Sequence, residues 1–242
     1  MSRILSSAAA SPLPAERLEA LRREVPGRTV FTTSFGIEDQ VITHLIFTAG
    51  LDIETVTLDT GRLFPSTYRL WSETEEKYGA QIRSYHPDRA ALEGHVADAG
   101  INGFYHSTEA RKGCCTVRKV QPLGRALEGA AAWVTGLRSD QSGDRAAVEF
   151  AAWDAERGLL KVAPLFDWSR ERVAEYCAAA GVPVNELHAR GFVSIGCEPC
   201  TRAIAPGEPE RSGRWWWETG GARECGLHAA ADGRLVRTKV AA

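Results

Sequence analysis

The chain has 242 residues, 44% hydrophobic and 25% charged, with a formal net charge of -2. This is ordinary globular composition, and it is enough chain for one large domain with a full core. The near-neutral balance argues against bulk nucleic-acid binding, and no apolar run approaches the roughly 20 residues that span a bilayer. Residues 1–14 are small and polar with one arginine, without the apolar core of a secretory signal. Six cysteines are too few for a disulfide scaffold, and clustered, unpaired thiols fit a reducing compartment, so a cytoplasmic protein is expected.

Leu18, Leu21 and Val25 stand at helical spacing and predict a helix over 15–25, ended by Pro26-Gly27. Residues 29–33 form a strand rich in β-branched residues that runs through Ser34-Phe35-Gly36 into a helix over 39–49. A strand, a short turn and a helix present backbone N–H groups to a phosphate, although no glycine-rich Walker sequence is present. A second buried strand at 54–58 ends in Leu58-Asp59-Thr60-Gly61-Arg62, where Asp59-Thr60-Gly61 also reads as a plain turn with an N-cap. Pro65 opens a helix to about Tyr78, and 81–83 predicts a third strand.

Residues 86–113 are poorly periodic and read as short helices and loops. Their histidines, His86, His95 and His106, have no spaced partners and read as ordinary surface or core residues. A helix then continues over 115–128, with Pro122 as a kink or restart. The strand at 131–135 enters a polar loop, Gly136-Leu137-Arg138-Ser139-Asp140-Gln141-Ser142-Gly143-Asp144-Arg145. Residues 159–162 form a further strand, and 170–180 a helix whose apolar side carries Val173 and the packing residue Cys177. Alternating strands and helices imply an α/β fold, a doubly wound, mostly parallel sheet. Three polar loops after three strands imply one shared crevice at the strand ends.

Two thiol pairs punctuate this pattern. Cys114 and Cys115 are adjacent, with Lys112, Arg118 and Lys119 around them, and Cys197 and Cys200 form a C-x-x-C. Thiolate-rich sets favour iron–sulfur clusters or zinc. Adjacent cysteines reach two irons of a cube more easily than two directions around one zinc, so a [4Fe–4S] cluster on Cys114, Cys115, Cys197 and Cys200 is the working hypothesis. On spacing alone, a structural zinc or plain buried thiols stay open.

From Arg190 onward the pattern becomes irregular, and an irregular, mobile C-terminal tail is expected. Arg211 and Arg214 precede Trp215-Trp216-Trp217-Glu218, a run that reads first as packing and otherwise as a stacking platform or docking surface. Cys225 stands in a glycine-flanked stretch with Arg223 and His228 nearby. Glycines give such a thiol freedom to move, and nearby cations favour its nucleophilic thiolate.

Taken together, Ser34-Phe35-Gly36, Leu58 to Arg62, Cys114-Cys115 with Arg118-Lys119, Gly136-Leu137-Arg138 with Asp140-Gln141-Ser142, the Cys197/Cys200 pair, Arg211 to Glu218 and Glu224-Cys225-Gly226-Leu227-His228 resemble the assimilatory sulfonucleotide reductases. The resemblance runs from about Thr29 to His228. It implies an adenine-nucleotide α-hydrolase-like fold, with residues 1–205 as the nucleotide-binding reductase domain and 206–242 as a tail carrying the catalytic cysteine. It implies reduction of a sulfated adenine nucleotide to sulfite with thioredoxin as electron donor, through an S-sulfocysteine on Cys225.

The four cluster cysteines mark the family's iron–sulfur branch, so the substrate expected is adenosine 5′-phosphosulfate (APS), with one [4Fe–4S] cluster per subunit. The substrate-binding set it implies is Ser34, Phe35, Gly36, Leu58, Asp59, Thr60, Gly61, Arg62, Lys119, Gly136, Arg138, Arg145, Arg211 and Arg214. The chain departs from the family pattern in lacking a proline after Ser142 and in having Pro209 where histidine is common. The rival readings are a 3′-phosphoadenosine 5′-phosphosulfate (PAPS) reductase, an ATP-dependent tRNA-thiolating enzyme of the same superfold, and a non-catalytic metal-binding regulator. Such ATP-dependent enzymes usually carry a Ser-Gly-Gly loop, which this chain lacks. The sequence is compatible with a homo-oligomer and does not fix its size.

Overall fold

The computed structural model describes residues 8–219. Strands at Thr29–Thr33 (β1), Glu54–Leu58 (β2), Arg83–Tyr85 (β3), Ala132–Val134 (β4), Ala151–Asp154 (β5) and Leu159–Val162 (β6) pair into one sheet, in the order β3-β2-β1-β4-β6-β5. Pairing is parallel from β3 through β6, and β5 runs antiparallel along β6. The doubly wound, mostly parallel expectation therefore holds. The third strand begins two residues later than the sequence indicates, because Ile82 donates its N–H to Glu75 Oε1 at 2.7 Å and its side chain packs with Leu70, while the ladder starts at Arg83. β5 has no counterpart in the sequence reading: Ala151-Ala152-Trp153-Asp154 carries neither a β-branched run nor clean alternation.

The helices are Pro14–Glu24 (α1), Ile37–Thr48 (α2), Pro65–Tyr78 (α3), Arg89–Ala99 (α4), Thr108–Cys115 (α5), Gln121–Leu127 (α6) and Arg170–Ala179 (α7). Side chains alternate across the sheet, as strand geometry requires. Phe31, Ala132 and Val134 face one core, with Leu18 and Leu21 of α1, Ile42 and Ile46 of α2, and Val173 and Cys177 of α7. Val30, Val56 and Trp133 face the other, against Leu123, Ala126 and Leu127 of α6. Cys177 is thus a core residue, and burial pushes its thiol up to about 12. Among the described residues, no helix is long and apolar enough to cross a membrane.

The helix expected over 115–128 is divided. α5 and α6 are joined by a widened turn at Thr116–Val120, in which the Gln121 N–H reaches back five residues to Thr116 O. Pro122 sits in the first turn of α6, where a missing N–H costs little.

One buried cation fastens the first helix. Arg17 donates to Pro164 O at 2.6 Å and to both carboxylate oxygens of Asp167 at 2.6 Å, and it lies over the Phe166 ring. Burial works against the Asp167 carboxylate, but Arg17 outweighs it and holds the group below its ordinary value. Stability from this pair is therefore present above the ordinary carboxylate range and lost as pH falls through the lowered pKa. Arg17→Met should cost about 1–2 kcal/mol at neutral pH, the low end for charged hydrogen bonds because Asp167 is partly solvated. Urea unfolding should show the gap between wild type and variant narrowing in acid.

Candidate functional site

In the sheet, β1 has β2 on one side and β4 on the other, so the chain winds outward in opposite directions from the β1–β4 junction. Ligands of open α/β sheets bind outside the strand carboxyl ends at such a junction. A cavity of about 180 Å³ lies there. Ser34 and Gly36 after β1, Leu58 and Thr60 at the end of β2, Gly136 and Arg145 after β4, together with Lys119, Arg211 and Arg214, line it.

The other residues of the expected substrate set stand elsewhere. Phe35 is buried with a left-handed backbone (φ 58°), its ring stacked on Trp71 at 5.6 Å and its N–H given to Thr33 Oγ1. Such a conformation costs a non-glycine residue about 1–3 kcal/mol, and burying the ring offsets it. Asp59 accepts from Gly61 N and Tyr68 Oη, closing the loop after β2 on itself. Arg62 donates to Ile101 O and Asn102 Oδ1 and covers the Phe104 ring. Arg138, fully buried, is taken up by carboxylates: Glu38 at 2.9 Å, Glu210 at 2.9 and 3.0 Å, and Asp140.

The acids in this wall escaped the sequence reading. Glu38 and Asp39 occupy the first turn of α2, where carboxylates complement the N-terminal end of the helix dipole. Their position directly after Ser34-Phe35-Gly36 was the available signal. Burial opposes the Glu38 carboxylate, yet Arg138 more than compensates and its pKa is lowered. Asp39 Oδ2 accepts from Ser34 N at 2.6 Å and Ser34 Oγ at 2.7 Å. The turn expected to offer N–H groups to a phosphate thus has two of them, those of Ser34 and Phe35, engaged internally. Gly136 leaves no room for a side chain, since a Cβ there would overlap Asp39 Oδ1. Burial first, and Glu38 beside it, raise Asp39 to about 6 against the pull of Ser34 and Arg145.

All four cysteines of the two pairs border a second cavity, and all are free thiols. α5 brings Cys114 and Cys115, its start capped by Ser107 Oγ accepting from Ala110 N. A single helical turn at Glu198–Cys200 brings the other pair. The loop after β2 is stitched to both: Arg118 donates to Thr60 O at 2.7 Å, Thr60 Oγ1 lies 3.3 Å from Cys197 Sγ, and Glu198 N donates to Arg62 O. Burial disfavours the Cys197 thiolate, but Lys119, the Thr60 hydroxyl and Arg214 together lower its pKa. Burial and then Cys197 push Cys200 up to about 11, and burial raises Cys114. Lys119 and Trp215 line both cavities and form the wall between them. Cys225 lies outside the described residues.

This fold and junction define an α/β protein with the sheet of the adenine-nucleotide α-hydrolase-like folds, a cavity at its strand ends and a thiol-rich chamber beside it. Comparison with known proteins narrows the class. The phosphoadenosine phosphosulfate reductase domain matches residues 28–203, and the chain belongs to that family. A protein named adenosine 5′-phosphosulfate reductase from Sinorhizobium fredii (strain USDA 257) is 61% identical over 204 residues, covering 84% of this chain and 81% of the relative. One of the same name from Burkholderia cepacia is 48% identical, over 88% and 86% of the two chains. Among solved structures, phosphoadenylyl-sulfate (PAPS) reductase from Candida auris, as a phosphate complex, superposes with a TM-score of 0.71 at 26% identity, over 84% of this chain and 98% of that one. Yeast FAD synthetase shares the fold at a TM-score of 0.54 and 18% identity.

The raised Asp39 has a measurable consequence. A carboxylate whose folded pKa exceeds its unfolded value stabilises the fold fully below about 3.8, and that contribution is lost as pH rises through about 6. Asp39→Asn keeps an oxygen for Ser34 and removes the ionisation. The variant should match or exceed wild type at pH 7.5, by up to about 3 kcal/mol, and lose that advantage near pH 4. Urea unfolding at the two pH values tests the sign.

Proposed function

We infer that this chain is an oxidoreductase acting on sulfur, which reduces APS to sulfite and AMP in sulfate assimilation. The observation that carries the reading is the shared wall: Lys119 and Trp215 stand between a cavity at the strand ends and a chamber of four thiols. Relatives at 48–61% identity over most of their length bear the name of this activity.

The chamber fits an iron–sulfur cluster, one per subunit, on Cys114, Cys115, Cys197 and Cys200. Its walls carry buried donors, Arg118 Nε and Trp215 Nε1, without partners among the described residues, as acceptor sulfur would require. Among the described residues, no three side chains of the ligating types stand close enough to hold one metal ion; the thiols border a space rather than a point. When bound, the cluster supplies structural cross-linking and a local electrostatic field. Lys119 and Arg214, which with the Thr60 hydroxyl depress Cys197, favour the thiolate form that a ligand needs.

In the proposed reaction, the Cys225 thiolate attacks the sulfur of APS. A sulfur–sulfur bond forms, the bond from that sulfur to the phosphate oxygen breaks, and AMP leaves with the electron pair. A thiolate of the dithiol protein thioredoxin then attacks the Cys225 sulfur, and sulfite leaves with its electron pair. The second thioredoxin thiol resolves the mixed disulfide, freeing Cys225 and leaving thioredoxin oxidised by two electrons. An anion must approach an anionic phosphosulfate, so Lys119, Arg145, Arg211 and Arg214 around the nucleotide cavity are assigned to offset the repulsion. Residues 1–205 act as the nucleotide-binding body and 206–242 as the tail presenting Cys225, in a cytoplasmic protein that either stands alone or forms a homo-oligomer.

Anaerobically purified protein with thioredoxin should release sulfite from APS in strong preference to PAPS, and reversal of that preference would overturn the substrate assignment. Cys225→Ser should abolish turnover while AMP binding persists. Arg211→Gln should lower kcat/KM by about ten- to a hundredfold, as the loss of one charge-assisted hydrogen bond implies. Cys197→Ser should lower bound iron, measured directly on the purified protein.

A further inference from the structure

The cavity at the strand ends is electrically lopsided. On the side of the thiol chamber stand Lys119 and Arg214, both near enough to Cys197 to favour its thiolate, with Arg211 over the Trp215 ring at 6.0 Å. The acids of the wall, Glu38, Asp39 and Glu210, gather instead around the start of α2 and Arg138, and none of them borders the chamber. Glu38 and Glu210 are each held by the Arg138 guanidinium at 2.9 Å. Asp39 differs. Its Oδ2 is taken by the Ser34 N–H and hydroxyl, and among the described residues no cation hydrogen-bonds it. Its Oδ1 occupies the room that Gly136 leaves by having no Cβ, and accepts from no donor among the described residues, although Asp39 is only 8% exposed.

A buried acceptor without a donor is costly, and a hydroxyl brought by a ligand supplies the missing hydrogen. Burial lifts Asp39 only to about 6, so at pH 7.5 the group is mostly ionised. Charge decides which way a sulfated nucleotide enters. Its phosphosulfate is drawn toward Lys119, Arg211 and Arg214, which leaves the uncharged ribose hydroxyls for the acid end. An ionised carboxylate accepts from a hydroxyl there and repels a phosphate, which brings only acceptor oxygens and more negative charge. Dinucleotide-binding sites use the same device, an acid for a free ribose hydroxyl and an arginine where that hydroxyl is phosphorylated. We propose that Asp39 is a specificity-determining residue, whose Oδ1 accepts from the free 3′-hydroxyl of APS and turns away the 3′-phosphate of PAPS. This rests on the reading that the cavity holds APS.

Two nucleotides separate selection from packing. A hydrogen bond to a charged group contributes about ten- to a hundredfold in affinity, and phosphorylating the hydroxyl replaces that bond with repulsion between anions. Removing the charge of Asp39 therefore acts on the two ligands in opposite senses. AMP loses the charged part of one hydrogen bond, whereas adenosine 3′,5′-bisphosphate escapes the repulsion. An acid that only braced the Ser34 turn would, once neutralised, weaken both ligands alike.

The test is calorimetric titration of AMP and of adenosine 3′,5′-bisphosphate into the full-length, anaerobically purified protein at pH 7.5, beside bound iron and the urea midpoint. Wild type should bind AMP at least about tenfold more tightly than the bisphosphate, and Asp39→Asn should cut that ratio by about fivefold or more with iron unchanged. Should that variant lose iron or unfold, Asp39→Ser, uncharged and smaller, is read in the same way. A ratio that does not move in a folded variant overturns the proposal, as does equal weakening of both nucleotides. Loss of the fold in both variants also overturns it, since that marks a merely structural acid. Wild-type protein that favours the bisphosphate, or binds neither nucleotide, removes the APS reading itself, a failure distinct from an AMP preference that Asp39 does not control.

Discussion

The cavity at the strand ends depends on a guanidinium that does not line it. Arg138 is fully buried and joins Glu38 in the first turn of α2, Asp140 in its own loop and Glu210 in the segment that returns from the C-x-x-C. Left unpaired, any of these charges would be costly in so dry a setting. Arg170, 3.6 Å from Glu210, adds a second cation to the group. Three separate stretches of chain must therefore arrive together, and they define the cavity wall jointly. Burial pushes Glu210 up, while at Glu38 the Arg138 guanidinium outweighs burial and draws the group down.

The two cavities are joined by the same economy of charge. Lys119 and Arg214 border the cavity at the strand ends and also act on Cys197. Gly196 is a glycine because the Arg214 guanidinium occupies the space that a Cβ would need. Loops that hold the thiols and loops that line the cavity at the strand ends are therefore not independent parts. The hydrogen bonds from Arg118 to Thr60 and from Glu198 to Arg62 tie the end of β2 to both thiol pairs.

Much of this was legible in the residues. β-branched runs gave away β1 and β2, and a proline marked α3, because local propensity and tertiary packing agree there. The polar loops after β1, β2 and β4 were readable as one crevice, since parallel strands deliver their carboxyl ends to one edge. What escaped depends on contacts between distant segments. Nothing local distinguishes Arg138, committed to three carboxylates, from Arg145, which lines the cavity. Phe35 and Arg62 sit inside motifs yet serve as a packed ring and a loop brace. β5 forms because β6 offers an edge, and Ala151 and Ala152 announce nothing. Glu38 and Asp39 look like routine first-turn acids until the sheet places Gly136 and Arg138 against them.

The widened turn between α5 and α6 has a consequence for how this stretch tolerates change. It accommodates one residue more than a regular helix would, between the thiols of α5 and the apolar stripe Leu123, Ala126 and Leu127. Each residue of a regular helix turns the chain by about 100°. Removing a single position from 116–120 would therefore restore an ordinary helix and leave that stripe facing Val30, Val56 and Trp133, whereas the same deletion within α5 or α6 would turn it away. The widened turn is thus a place where this stretch can lose a residue without turning its thiols against its stripe.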